Sequence, residues 1–129
     1  MTIGKEYNHT FVVNESIYLG FINLFDDKNI LHVDNDYAVS KGFVAKVMHG
    51  NILNGFISYF VGEILEHKNV IIHTQSIQFK APVYLNDTLS FIAVVEEVIE
   101  SVNVVIFKFH FTNTLNKKVA TGKIQIGTI

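Results

Sequence analysis

One long segment with helical periodicity precedes a series of strand-like segments, and this order constrains the fold more than any other feature. Between residues 50 and 66, apolar residues recur in pairs every four residues. That spacing gives the segment one broad apolar face, as in a helix that lies on a sheet. The face consists of Ile52, Leu53, Phe56, Ile57, Phe60, Val61, Ile64 and Leu65. The pattern therefore predicts a long helix packed against a sheet.

The second half of the chain has the composition and alternation of β-strands. Its strand-like segments are VIIHTQSIQF at 70–79, TLSFIAVVEEVIE at 88–100, SVNVVIFKFHFTNTL at 101–115 and KVATGKIQIGTI at 118–129. In the third segment Val105, Phe107, Phe109 and Phe111 share one apolar face. Short turns at Asn86-Asp87 and Asn116-Lys117 favour antiparallel pairing. One central helix followed by an antiparallel meander predicts an α+β fold.

The first half carries shorter elements. Residues 6–13, EYNHTFVV, suggest a strand. Asn14 or Ser16 can cap a short helix that extends to Leu24. The polar connection at 26–50 follows this helix.

Composition limits the classes of protein that the chain can belong to. Its 129 residues favour one domain, 1–129, and cysteine is absent, which excludes disulfides and thiolate chemistry. All ten basic residues are lysine, so no guanidinium fork is available for phosphate or guanine and we expect no nucleic-acid partner. The hydrophobic content of 49% favours a partner subunit or an apolar pocket.

The apolar runs of the chain and its first residues bear on where the protein is expected to be located. No apolar run approaches the roughly 20 residues that span a bilayer. The first residues, MTIGKEYNHT, lack the layout of a signal peptide. We therefore expect a cytoplasmic protein without a membrane partner.

The connection DDKNILHVDNDYAVSKGFVAKVMHG, residues 26–50, concentrates groups that can transfer protons. Asp27 and His32 can act as an acid–base pair, because imidazole changes charge near neutral pH and a carboxylate can orient it. Asn29 can fix the turn or hold a water. The alternative is that these are ordinary turn residues, since Asp and Asn are common in turns.

A second candidate site lies where the long helix begins. His49-Gly50 immediately precedes it, and a helix start presents unpaired N–H groups and a partial positive charge. Gly50 would let a carbonyl approach the backbone closely, as in an oxyanion site. The alternative is a plain helix junction. Ser58, farther along the helix, can face a pocket or bond back to the helix backbone.

Metal and cofactor motifs are missing from the sequence. No local spacing of histidines and carboxylates proposes a metal site, and no phosphate-binding glycine loop or nucleophile elbow is present. We expect neither a metal nor a cofactor.

Several separated motifs resemble the MaoC-like hydratase family, which includes the (R)-specific enoyl-CoA hydratases. They are DKNILH at 27–32, Tyr37-Ala38, Gly42-Phe43, VMHG at 47–50, QFKAPVYLNDTL at 78–89 and VATGKIQI at 119–126. The resemblance covers nearly the whole chain from about residue 10. Three positions depart from the family pattern: Phe25-Asp26 replaces Ser-Gly, Ile30 replaces proline, and Asn86 replaces glycine.

The resemblance implies a hot-dog fold, in which an antiparallel sheet wraps around one long central helix. It implies a homodimer that hydrates or dehydrates an acyl thioester of CoA or acyl carrier protein. Asp27 and His32 take the family's catalytic positions, with Asn29 in support. Gly50, preceded by His49, takes the position of the N–H donor to the thioester carbonyl, and Ser58 takes a position in the acyl pocket. Lys46, Lys80 and Lys123 are candidates for contacts to the carrier's phosphates.

Two other functions remain open at this stage. A thioesterase on the same fold would place its carboxylate on the central helix, where Glu63 is the candidate. A hot-dog module that binds an acyl group without turnover is the non-enzymatic alternative.

Overall fold

Five strands and four helices form the chain in the computed structural model, which describes all residues 1–129. In chain order they are β1 (Glu6–Val12), α1 (Glu15–Phe25), α2 (Ile30–Val33), α3 (Asn35–Ser40), α4 (Asn51–Tyr59), β2 (Val70–Phe79), β3 (Thr88–Ile99), β4 (Val104–Thr112) and β5 (Lys118–Thr128). No helix is both long enough and apolar enough to cross a membrane. The polar connection at 26–50 contains two short helices, α2 and α3, between α1 and α4.

The strands form a single antiparallel sheet in the order β1-β3-β4-β5-β2. The three strands β3, β4 and β5 are consecutive neighbours, because short turns connect them. Strand β2 crosses to the far side of β5 and becomes an edge strand. The predicted α+β class with an antiparallel sheet is confirmed.

Helix α4 supplies the centre of the core. Phe56 stacks on Phe11 of β1 with ring centroids 4.3 Å apart. Phe60 lies 5.1 Å from Phe91 of β3 and 5.4 Å from Phe107 of β4. The predicted apolar face of the helix is buried, and the alternating phenylalanines of β4 meet it. The sheet thus packs around one central helix, which is the hot-dog arrangement.

The end of the central helix differs from the prediction of regular helix to Glu66. The α-helical part ends at Tyr59, and residues Phe60–Ile64 form a wider π-helical turn. In this turn the N–H of Leu65 donates to the carbonyl of Phe60, five residues earlier. Leu65 is fully buried, so the wider turn brings its side chain into the core.

Candidate active site

The site begins where α1 ends. Asp26 closes α1 in a left-handed conformation, with φ 55°, and its N–H donates to the carbonyl of Ile22. The chain then turns, and the Asp27 carboxylate accepts a hydrogen bond of 3.2 Å from the N–H of Asn29. The Asn29 side chain caps α2 by accepting from the N–H of Leu31 at 3.0 Å. Asn29 therefore fixes the turn that presents Asp27.

His32 is oriented by the strand-like segment that precedes α4. Its Nδ1–H donates to the carbonyl of Val47 at 2.8 Å. A carbonyl only accepts, so this bond assigns the proton to Nδ1 and leaves Nε2 with a free lone pair. The N–H of Val47 returns a bond to Leu31, and the Tyr18 hydroxyl donates to the His32 carbonyl at 2.6 Å. His32 is thus held through both its ring and its backbone.

His49 lies behind this pair and is almost completely buried, at 3% exposure. Its Nε2–H donates to the backbone carbonyl of Asp27 at 2.9 Å. Its ring packs against His32, with centroids 4.2 Å apart, and against Phe21, with centroids 4.6 Å apart. Its Nδ1 is buried without a hydrogen-bond partner. The Asp27 turn and the start of α4, twenty-two residues apart in sequence, are therefore joined by a direct hydrogen bond.

Gly50 begins α4 and keeps its N–H free. The Gly50 N–H donates no hydrogen bond within the chain, and the Gly50 carbonyl accepts from Leu53. Its φ of −57° is ordinary helix, so conformation does not require glycine here. A Cβ would lie 2.8 Å from the ring of the half-exposed Phe79, so any larger residue at position 50 would have to displace that ring. The free N–H, at the positive end of the helix, is available to an oxygen acceptor.

Asp27, His32 and His49 each offer one ligand-type atom within 4.8 Å of the other two. This grouping brings together three groups that sequence spacing alone did not propose as a set. Two of the four imidazole nitrogens already donate to carbonyls, so a metal ion would have to bind His32 Nε2 and His49 Nδ1. The same proximity suits proton transfer between Asp27, His32 and a shared water.

Two cavities meet at this cluster. One, of about 450 Å³, is lined by His32, Gly50, Phe79 and Lys80 among others. The other, of about 860 Å³, lies between α1 and α4 and includes Asp27 among mostly apolar residues. Asn51 and Ile52 line both cavities. A ligand lying across the cluster therefore has space on either side.

The glycines of the larger cavity widen it. Gly20 on α1 and Gly55 on α4 both line this space, and a Cβ at either position would meet no atom within 4 Å. The rest of the wall is apolar at Ile17, Phe21, Leu24, Phe25, Ile52 and Phe56 and polar at Asp27, Asn51 and Asn54. The apolar part of this lining suits an apolar chain.

Several residues singled out from the sequence lie outside this cluster. Ser58 is exposed on α4 and lines neither cavity, because it lies one helical turn beyond Asn54 and Gly55. Glu63 is exposed at the far end of the central helix. Lys123 pairs with Glu96 at 2.9 Å. The site thus gains nothing from Ser58 or Glu63 within one chain.

Two residues of the site were not predicted from the sequence. Phe79 covers Gly50, and Tyr18 anchors the carbonyl of His32. Both come from elements that looked structural, namely a strand end and the apolar side of α1. Their position at the site depends on the packing of α1 and β2 beside α4.

Two of the departures from the family pattern, at Asp26 and Asn86, have a backbone explanation. Asp26 and Asn86 replace glycines, and both adopt left-handed conformations, with φ 55° and 69°. Asp and Asn enter this region more readily than other residues with a side chain. The Asp26 side chain is 82% exposed and pairs with Lys28 at 3.0 Å, so its charge is partly neutralised in solvent.

A carboxylate and an imidazole brought together beside a free helix-start N–H, on a hot-dog fold, define the class to which this domain belongs. Comparison with known proteins agrees with this class. The profile of the MaoC-like domain matches residues 2–116, so the chain belongs to the MaoC-like domain family.

Two curated relatives are (R)-specific enoyl-CoA hydratases. The enzyme of Rhodospirillum rubrum is 39% identical over 88 residues, which is 67% of this chain and 60% of that protein. The enzyme of Aeromonas caviae is 34% identical over 70 residues, which is 54% of this chain and 52% of that protein. The matched part thus spans only half to three fifths of the length of these relatives.

Among solved structures, an R-hydratase from Pseudomonas aeruginosa in its unliganded form superposes on this chain with a TM-score of 0.89. The two sequences are 26% identical, and the match covers 99% of this chain and 82% of that one. The likeness therefore extends over the whole sheet and the central helix.

Proposed function

We propose that the chain is an (R)-specific enoyl thioester hydratase, which also catalyses the reverse dehydration of a 3-hydroxyacyl thioester. The observation that carries this proposal is the approach of the Asp27 carboxylate and the His32 imidazole to within 4.8 Å. The names of the curated relatives support the same reaction. Residues 1–129 would then form one catalytic domain.

The acid–base pair accounts for the proton transfers. Hydration adds a hydroxyl to the β-carbon of the enoyl group and a proton to its α-carbon. A water held between Asp27 and the free Nε2 of His32 loses a proton to one group as it attacks. The pair then delivers a proton to the α-carbon on the same face, which gives syn addition. In dehydration the two groups exchange acid and base roles, by microscopic reversibility.

The helix start accounts for activation of the thioester. Negative charge builds on the thioester oxygen as the β-carbon is attacked. The free N–H of Gly50, at the positive end of α4, can donate to that oxygen. Such a donor is typically worth about 10²–10³ in rate.

The two cavities suggest where the substrate lies. The larger, apolar cavity between α1 and α4 suits the acyl tail, and the smaller one suits the thioester and the arm of its carrier. Of the three lysines considered for carrier phosphates, Lys80 lines the smaller cavity. We expect Lys80→Met to raise KM without a matching fall in kcat, because it removes only a binding contact.

The decisive experiment measures hydration of crotonyl-CoA by wild type, Asp27→Asn and His32→Ala. The loss of enoyl absorbance reports the rate. Each change should lower kcat by at least about 10²-fold, the lower range for one acid–base group. Matched controls are Asp26→Asn, at the neighbouring exposed carboxylate, and His67→Ala, at an exposed histidine. Wild-type rates in both site variants would sink the proposal. A series of acyl lengths on CoA and on acyl carrier protein would identify the substrate class.

We also propose a homodimer that forms along the free edge of β2. This strand has ten residues and no Asp, Glu, Lys or Arg, although natural edge strands usually carry charges that block pairing. Ile71 and Phe79 on it are about half exposed. A second copy is the occupant that the self-complementary antiparallel edge fits. Light scattering should report a dimer for wild type and a monomer for the double variant Thr74→Lys, Ser76→Lys. A wild-type monomer would refute this interface.

The cytoplasmic location stays a prediction.

A further inference from the structure

His49 borders the smaller cavity and directly precedes Gly50, but its ring offers no free polar atom to a substrate there. Its side chain is 3% exposed. Its Nε2–H is committed to the Asp27 carbonyl, and its Nδ1 is enclosed by protein. The ring lies between Phe21 and His32. Any chemical role of His49 must therefore be exerted through these neighbouring residues.

The hydrogen bond from His49 is the one direct link between the catalytic carboxylate's own residue and the start of α4. The rest of the Asp27 turn is held locally, by Asn29 and by the cap of α2. Those local bonds fix the shape of the turn, and the bonds from α2 to Val47 hold the following helix beside the segment that leads to Gly50. The bond to the Asp27 carbonyl, 2.9 Å long, is the one that ties Asp27 itself to that segment.

Packing alone does not explain a histidine at this position. A phenylalanine would fill a similar space beside Phe21 and His32 without placing an unpaired acceptor, Nδ1, in the interior. Buried polar atoms without partners are uncommon in folded proteins and call for a reason. The donor at Nε2 supplies that reason, because only this atom of the ring makes a hydrogen bond.

We propose that His49 is a positioning residue that pins the Asp27 backbone to the start of α4, and so sets the distance between the Asp27 carboxylate and the thioester carbonyl held at Gly50. The inference rests on the proposed hydration reaction. It assigns His49 to the alignment of the carboxylate with the substrate rather than to contact with the substrate. Misplacement of a catalytic group by about 1 Å can cost about 10²-fold in rate, so loss of the His49 hydrogen bond should lower kcat.

The test uses two side chains of nearly equal shape that differ in the donor. His49→Gln keeps an N–H₂ group near the position of Nε2, whereas His49→Met fills similar space without a donor. His49→Phe keeps the ring and also lacks the donor. Kinetics on crotonyl-CoA with the full chain should show kcat for Gln within about 3-fold of wild type. The Met and Phe variants should lose about 10–100-fold in kcat with KM within about 3-fold.

A second measurement is independent of turnover. The N–H of Asn29 donates to the Asp27 carboxylate, so its hydrogen exchange reports whether Asp27 is held. Exchange at Asn29 should accelerate in the Met and Phe variants and stay near the wild-type rate in the Gln variant. Thermal melts establish that each variant is folded, and either apolar variant suffices if the other does not fold.

Three results would overturn the inference. They are a wild-type kcat in His49→Met or His49→Phe, an equal loss in His49→Gln, and a rise in KM with unchanged kcat. The last result would make His49 a substrate-binding residue. Failure of the proposed function would give a different result. The wild type itself would lack hydration activity, while hydrogen exchange at Asn29 would still depend on whether residue 49 carries a donor.

Discussion

The polar connection at 26–50 and the phenylalanine core around α4 hold their side chains in different ways. In the core, Phe60, Phe91 and Phe107 are fully buried and are fixed by mutual packing, so shape and volume decide what fits. In the connection, Asp27 is exposed and His32 half-buried, and each is fixed by one or two bonds to backbone atoms. The core therefore determines whether the chain folds, and under the proposed function the connection determines whether the folded chain reacts.

The largest expected effect on stability comes from a core truncation. Phe91→Ala, at 0% exposure beneath Phe60, should lower the free energy of unfolding by about 3–5 kcal/mol, because it removes a buried ring and leaves a cavity. Urea unfolding measures the change. The folded fraction should retain its specific activity. Asp27→Asn is the opposite case, with wild-type stability and lost activity. A stable, inactive Phe91→Ala would contradict this division between the two regions.

Tyr18→Phe should affect both properties, because Tyr18 joins the two regions. Its ring is buried and its hydroxyl donates to the His32 carbonyl. We expect a loss of about 0.5–1.5 kcal/mol, the usual net value of one hydrogen bond, with a measurable fall in kcat. Tyr37→Phe is the control, because Tyr37 is half-buried elsewhere and its hydroxyl donates no hydrogen bond within the chain. An unchanged kcat in Tyr18→Phe would show that the backbone of α2 needs no anchor.

Asp26 tests backbone conformation separately from charge. A β-branched residue in the left-handed region is strained, so Asp26→Val should destabilise the chain by about 1–2 kcal/mol. Asp26→Gly and Asp26→Asn should stay near wild type, since both residues accept this conformation. Equal stability of Val and Gly variants, measured by thermal unfolding, would mean that the turn relaxes without strain.

The smallest expected effect is an electrostatic one at the far end of the core. The Lys5 ammonium, with the Tyr7 hydroxyl, lowers the pKa of the Glu66 carboxyl to about 2. Because the folded pKa lies below the usual 4.5, the ion pair stabilises the fold above about pH 4.5 and loses this effect as pH falls towards 2. The stability difference between wild type and Glu66→Gln should shrink over that range. Glu100→Gln, which removes a carboxylate without an ion pair, should show no such trend.

Much of the fold could be predicted because hydrophobic periodicity is a local property. Asn14 caps α1, the strand at 6–13 and the apolar face of α4 are confirmed, and β4 alternates as expected. The strand order was not predictable from these patterns, because the crossing of β2 to the far side of β5 depends on long-range packing. The π-helical turn at Phe60–Ile64 also depends on how Leu65 reaches the core.

The sequence by itself determined which chemical groups the candidate site contains: the motif residues Asp27, Asn29 and His32, and Gly50 at a helix start. Their chemical groups can be read directly from the residue types, and the motif that contains Asp27, Asn29 and His32 is continuous in the chain. Only the tertiary structure decided which nitrogen of His32 is free, which N–H of α4 is unpaired and what His49 contacts. Those properties arise from bonds between segments that are distant in sequence, and a hydrogen bond is directional and short-ranged.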